Sequence, residues 1–275
     1  MKFVTVANKN EGYLNTLDNQ IKKSGNFLNI LGKGEKWGGF TWRYILISKF
    51  LQNLPDNEII VIMDGYDVLF INDIDLEDKF KSYNTNILFG IDNIKSKVWK
   101  LLYERVFPRK CDFNGKKIFI NAGVYIGYAK YLKIFISSIC TENDCNDSQL
   151  DDQRILSQMC NKDFFKNNVK FDIDCKIILN LPPDNLFTNK TSFSLTNGKV
   201  IVNNNKPNFV HGPGNTDLNF ILESYGYKNE KINFRNNYKI NGIKIYFKYF
   251  IPDIIIFLFI LLIFIFYHNI NLKRK

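Results

Sequence analysis

Asp64-Gly65-Tyr66-Asp67 places two carboxylates on a short segment directly after the apolar run Ile59-Ile60-Val61-Ile62-Met63. Carboxylates are hard oxygen ligands. A pair of them on a turn at the carboxyl end of a strand can hold a divalent cation that in turn grips a diphosphate. The same four residues also make an ordinary polar turn closing a strand, where Asp and Gly are common. Of the two histidines, His268 lies near the C-terminus, whereas His211 sits in Phe209-Val210-His211-Gly212-Pro213-Gly214. It follows a short apolar strand and opens a turn where Gly212 and Gly214 let backbone approach a ligand closely. An imidazole there is either a ligand or a buried structural side chain. A third stretch, from Ile120 to Ala129, contains Asn121, Gly123 and Gly127. Its glycines leave room for a ligand, or mark a bulged core strand. A fourth, Asp151-Asp152-Gln153, opens a helix, where acidic residues are also expected for capping and dipole reasons.

These residues need a frame, and the chain supplies an alternating one. A strand is predicted at Phe3–Ala7 and a polar helix from Glu11 to Lys23, ended by Ser24-Gly25. A second short strand covers Phe27–Leu31. A Gly-rich turn (Gly32, Gly34, Gly38, Gly39) leads to an amphipathic helix from Thr41 to Leu54, broken by Pro55-Asp56-Asn57. Ile59–Met63 is apolar at every position, as in central parallel strands covered on both faces. Further strands are expected at 87–91, 118–120, 169–171 and 209–210, and helices at 130–140 and 151–160. Residues 188–208 read as a polar loop. The pattern is α/β with a mostly parallel sheet flanked by helices.

In this order the segments resemble the glycosyltransferase domain of the procollagen lysyl hydroxylase family, which also occurs as shorter and viral relatives. The pieces that match are Val4–Ala7 with Glu11-Gly12-Tyr13, Leu31–Trp37, Met63–Val68, Ile120–Ala129, Asp151-Asp152-Gln153, Ile173-Asp174 with Asn180-Leu181, and His211–Gly214. Together they span residues 3 to 225. The resemblance implies a GT-A-type, Rossmann-like fold and a manganese ion (or magnesium) held by Asp64, Asp67 and His211. It puts Trp37 and Tyr66 near the nucleotide, and Asn121, Asp151 and Asp152 near the sugar and acceptor. Two carboxylates and an imidazole suit such a cation, leaving other positions to phosphate oxygens. The chain departs from the family pattern in two places. Its Gly-rich stretch is shortened to Gly38-Gly39-Phe40-Thr41, with Lys36 and Arg43 nearby but neither a clean match to the family's basic residue. Pro213 and Asp217 replace the Asn and Lys of the His motif.

The formal charge is +10. From Lys244 onward the tail carries five basic residues and one acidic, so +6 belongs to the body. No basic stripe interleaved with aromatics is present, which argues against nucleic acid. Cys111, Cys140, Cys145, Cys160 and Cys175 are an odd set without a CxxC pair. Cys140 and Cys145 stand close enough to pair, but the set is expected to be free thiols. From Ile254 to Tyr267 every residue is apolar or aromatic, and Lys273-Arg274-Lys275 close the chain. A single-pass, C-terminal membrane anchor over about 250–267 is expected from this run. Domain boundaries follow at 1–240 and 241–275. The start of the chain reads as a strand rather than a leader, so the globular part is expected to face the cytosol.

The expected activity is transfer of glucose or galactose from UDP-glucose or UDP-galactose to a hydroxyl acceptor on a protein or glycan. The resemblance implies hydroxylysine, or its galactoside, on a collagen-like chain. Two rivals keep the same residues: a catalytically silent, membrane-tethered sugar-nucleotide-binding protein, and a metal-dependent phosphohydrolase. Their products differ, which is how they are told apart.

Overall fold

The structure is a computed structural model, and it describes residues 1–92, 111–113, 115–181, 193–213, 216–230, 251–252 and 254–263. The chain divides into two units, Met1–Ile232 and Asn233–Lys275. In chain order the first unit contains β1 (Lys2–Val6), α1 (Leu14–Lys23), β2 (Leu28–Leu31), α2 (Trp42–Gln52), β3 (Ile59–Asp64), β4 (Val68–Phe70), α3 (Leu76–Ser82) and β5 (Ile87–Ile91). It continues with β6 (Cys111–Phe113), β7 (Lys116–Ile118), β8 (Ile120–Tyr128), α4 (Ala129–Glu142), α5 (Asp152–Met159), α6 (Asp163–Asn168) and β9 (Val169–Phe171). Last come β10 (Ile178–Asn180), β11 (Ser194–Thr196), β12 (Lys199–Ile201), β13 (Phe209–His211) and α7 (Asn219–Ser224).

The main sheet has six strands in the order β2-β1-β3-β8-β5-β9. β1 runs parallel to β2 and β3, and β5 runs parallel to β9, while β8 is antiparallel to both its neighbours. Both faces are covered, which is why β3 is apolar from Ile59 to Met63. Ile60 and Ile62 point into one core with Tyr44, Ile47 and Leu51 of α2 and Leu132, Phe135 and Ile136 of α4. Ile59, Val61 and Met63 point into the other with Leu14, Leu17 and Ile21 of α1 and Leu76 and Phe80 of α3. A second sheet, β10-β13-β4, covers a smaller cluster around Leu69, Leu179 and Val210. β13 is parallel to β10 and antiparallel to β4, so His211 stands opposite Val68.

Three expectations change. The first helix begins at Leu14 rather than Glu11, because Gly12 adopts φ +58° and the Tyr13 N–H donates to the Tyr66 carbonyl at 2.9 Å. The polar stretch 188–208 is not all loop: β11 and β12 form an antiparallel hairpin, and 188–192 lie outside the described residues. The cysteines are not all thiols. Cys140 pairs with Cys145 and Cys111 with Cys160, at Cα separations of 5.2 and 5.1 Å that suit a disulfide.

In the second unit, residues 251–252 and 254–263 are helical. Their apolar side chains are exposed, from Ile251 through Ile263. Among the described residues no helix is long and apolar enough to cross a membrane. The rest of the expected 250–267 span lies outside the described residues.

Candidate active site

The parallel strands β1, β3 and β5 end at one edge of the main sheet, and the antiparallel β8 begins there. Asp64 closes β3 beside Val6 of β1. Asn121 stands near the start of β8, and Asp92 follows β5, where Ile91 pairs with Ile120. Carboxyl ends of strands are where open α/β sheets bind ligands.

Asp64, Asp67 and His211 converge at this edge, with one ligand atom from each lying within 4.8 Å of the others. His211 Nε2 is 3.7 Å from Asp64 Oδ2 and 3.6 Å from Asp67 Oδ2. The imidazole is buried, and Nε2 has no hydrogen-bond partner among the described residues. Its other nitrogen is committed: Nδ1 lies 2.9 Å from Asn180 Oδ1, and the Asn180 amide is itself fixed by donating to the Ile91 carbonyl at 2.9 Å. An Nδ1–H donating to an amide oxygen leaves the Nε2 lone pair facing the carboxylates, the arrangement of a metal-binding histidine. An orphaned buried imidazole nitrogen aimed at two carboxylates fits a divalent cation in both charge and donor type.

Local sequence explains the convergence. The turn between the two Asp needs Gly65, because a Cβ there would meet Thr5 Oγ1 at 2.9 Å, and that hydroxyl already donates to the Met63 carbonyl. The Gly212 N–H donates to the Asp67 carbonyl at 2.8 Å, tying the His motif to the Asp turn. The room that Gly123 leaves is taken by His211 itself, not by a ligand: a Cβ at 123 would lie 2.1 Å from the imidazole Cε1. The glycine spacing of β8 is thus partly a packing requirement of the histidine.

Burial and neighbouring charges shape protonation. Burial pushes Asp64 up to about 6; Arg43 pulls against it, and Asp67 adds to it. Burial would lower His211, but the nearby negative charges of Asp67, 3.6 Å away, and Asp64 raise it on balance. Burial also pushes Asp92 up to about 7, moderated by a hydrogen bond from Asn121 and by His211.

The other expected residues separate by role. Asp151 is the N-cap of α5: its side chain is exposed and accepts from the N–H groups of Gln153 and Arg154 at 2.9 and 3.3 Å. Asp152 is buried and faces inward, where it pairs with Arg43. Gln153 stitches α5 to β8 by accepting from the Ala122 N–H and donating to the Ile120 carbonyl. Asn121 is buried, donates to Asp92 at 2.6 Å and accepts from the Gly123 N–H at 2.8 Å. The Tyr66 hydroxyl accepts from the Asn8 N–H at 3.0 Å and donates to Asn8 Oδ1. The half-buried Trp37 packs edge-on against Phe40 and Trp42. Gly214 lies outside the described residues.

Two residues enter that were not selected from sequence. Asp92 repeats the signal of Asp64, a carboxylate directly after an apolar strand, in Ile91-Asp92. Arg43, noted only as a basic residue near the Gly-rich turn, places its guanidinium on both Asp64 and Asp152.

Fold and site together define an α/β enzyme of the GT-A-like kind, with an Asp–Asp–His cluster at the carboxyl edge of a mostly parallel sheet. The chain belongs to the family described as the PLOD GT domain, the procollagen glycosyltransferase domains, whose pattern matches residues 1–236. None of the curated proteins matches it significantly. Similar solved structures include the galactosyltransferase LgtC in complex with donor and acceptor sugar analogs, at 15% identity over 86% of this chain and 99% of that one, with a TM-score of 0.45. Another is a glycosyltransferase involved in glycosylation of the major capsid of PBCV-1, at 12% identity over 65% and 84%, with a TM-score of 0.42.

Proposed function

We propose that this glycosyltransferase moves glucose or galactose from a UDP donor to a hydroxyl acceptor, hydroxylysine or its galactoside on a collagen-like chain, with manganese or magnesium at Asp64, Asp67 and His211. The observation that carries the reading is the buried, unpartnered His211 Nε2 facing two carboxylates. Family membership supports the sugar-transfer chemistry. When bound, the cation supplies Lewis-acid stabilisation of charge on the departing diphosphate.

The chain's own groups do the rest. Tyr66, inside the Asp turn, and Trp37, in the loop that Asn8 joins to that turn, would pack on the nucleotide. Asp152, charge-paired with Arg43, suits orienting sugar hydroxyls. Asp92 is the better proton acceptor, since burial pushes it up to about 7 and Asn121 fixes its carboxylate. In that reading the acceptor hydroxyl loses its proton to Asp92 as its oxygen bonds the anomeric carbon and UDP departs.

Membrane attachment through residues 250–267, with the globular part on the cytosolic side, remains part of the proposal. The exposed apolar helical residues among 251–252 and 254–263 support it. Co-flotation of the whole chain with lipid vesicles tests attachment, and protease protection tests sidedness.

The activity test is UDP release from UDP-glucose and UDP-galactose, with manganese or with EDTA, beside an Asp64→Ala/Asp67→Ala variant. Manganese-dependent UDP and transferred sugar are expected from the native chain and not from the variant. Free phosphate as product would support a phosphohydrolase instead. No turnover of either donor with a collagen-type acceptor supplied would leave a silent binding protein.

A further inference from the structure

Arg43 stands in the first turn of α2 and reaches across the strand edge. One guanidinium nitrogen donates to Asp64 Oδ1 and the other to Asp152 Oδ2. The side chains of Arg43, Asp152 and Asp64 are 13%, 7% and 25% exposed, so this is a largely desolvated triad rather than a surface ion pair. Its base is also held, with Nε donating to the Phe40 carbonyl and the guanidinium lying 5.9 Å from the Phe40 ring. The hydroxyls of Tyr44 and Tyr125 are buried without a hydrogen-bond partner among the described residues, and they line the same small cavity as Arg43 and Asp64.

A buried ion triad is a poor device for stability, because desolvation offsets most of the Coulomb gain and apolar packing of equal volume would serve as well. Its value lies in geometry. Asp64 Oδ1 is held by Arg43 while Oδ2 faces His211, so one carboxylate is shared between the arginine and the cation cluster. A planar fork seats two carboxylates from two elements in one fixed relative geometry, which the flexible stem and rotating donors of an ammonium do not fix.

We infer that Arg43 is a positioning residue for Asp152 that shares Asp64 with the cation site, so that the carboxylate facing the sugar is set by the same guanidinium that occupies one oxygen of a cation ligand. The inference rests on the reading of Asp64, Asp67 and His211 as a cation site. It assigns Arg43 no direct contact with substrate.

The test uses Arg43→Lys, Arg43→Gln and Asp152→Asn in the full chain, each checked for native circular dichroism. Manganese binding is followed by electron paramagnetic resonance without donor, and kcat and KM with donor. Arg43→Gln removes a like charge beside the cation and frees Asp64, so manganese affinity should rise about tenfold while kcat falls about 100-fold through misplacement of Asp152. Arg43→Lys keeps the charge and loses the fork, so affinity should stay within about twofold while kcat still falls at least tenfold or so. Arg43→Gln combined with Asp152→Asn should be no slower than the worse single variant, since both break one unit. Native-like kcat in Arg43→Lys, unchanged or weaker manganese binding in Arg43→Gln, or multiplicative losses in the double variant would each overturn the inference. If the native chain binds no manganese, the proposed cation site fails instead, and the melting temperatures decide the tie. Less-than-additive shifts for the Arg43 and Asp152 substitutions uphold the link between them; additive shifts overturn it.

Discussion

Substituting Gly123 by alanine should abolish the proposed cation site without altering a proposed ligand. A Cβ at 123 would lie 2.1 Å from His211 Cε1, 2.3 Å from Nδ1 and 2.6 Å from Nε2. Ordinary contact begins near 3.4 Å, so the ring must retreat by about 1.3 Å, whereas ligand distances tolerate only about 0.2 Å. The ring has little freedom to do so, because Asn180 holds Nδ1 and the main-chain N–H of Gly212, the next residue, is bonded to Asp67. Overpacking of this kind costs about 1–3 kcal/mol, and displacing a ligand should weaken manganese binding by at least 10- to 100-fold or so. Gly127→Ala on the same strand is the control. Its Cβ meets the Asn86 carbonyl at 2.9 Å and Leu132 at 3.2 Å, far along β8 from the histidine. Calorimetric titration with manganese and a thermal melt on each variant separate the effects: both should lose stability, and only Gly123→Ala should lose the cation. Native manganese affinity in Gly123→Ala would refute the claim that His211 is a ligand in the position described.

Asn180→Ala, which removes the partner of His211 Nδ1, should lower manganese affinity by about 10- to 100-fold, read in the same titration. Manganese affinity should also fall as pH drops through about 6, where Asp64 takes up a proton and His211, raised by its acidic neighbours, is already protonated. Stability without metal should run the other way. Both groups hold protons in the folded chain that the unfolded chain has released, so melting temperature should fall as pH rises from about 4 through the His211 range, and manganese should flatten that slope. Asp151→Ala should cost about 1 kcal/mol as a lost N-cap, seen as a small drop in melting temperature. Asp152→Asn should instead abolish most turnover, and equal kinetic damage from both would refute the division of roles between them.

What was legible in the sequence was whatever has a local signature. β3 announces itself because both faces are buried, and β9 because Val169 and Phe171 alternate with Lys170. Asp64, Asp67 and His211 were legible because each follows an apolar strand with glycine in the adjoining turn. β4 and β10 were missed: at three residues each, they show no period and exist because β13 pairs with them. The β11–β12 hairpin was overlooked although Asn197-Gly198, both at positive φ, is a recognised two-residue hairpin turn. The partners of Asp152 and Cys160 were not readable, since Arg43 is 109 residues from one and Cys111 is 49 from the other. Such pairings are products of the sheet order, not of spacing.

The placement of Tyr66 shows how the remaining gap between sequence and site is bridged. Its motif neighbours are carboxylates, yet its hydroxyl turns away to Asn8 at the end of β1, accepting from the Asn8 N–H and donating to its side-chain oxygen. Asn8 also accepts from the Gly34 N–H at 2.9 Å and donates to the Glu35 carbonyl. The loop that leads to Trp37 and the turn that carries both carboxylates are therefore fastened to one residue. A nucleotide packed against Trp37 and a diphosphate held at Asp64 and Asp67 would sit on a single hydrogen-bonded unit, and ordering of either end would be felt at the other. A tyrosine inside an acidic turn thus fixes the loop before Trp37 relative to the two carboxylates, while glycine on one side and Arg43 across the edge set the carboxylates themselves.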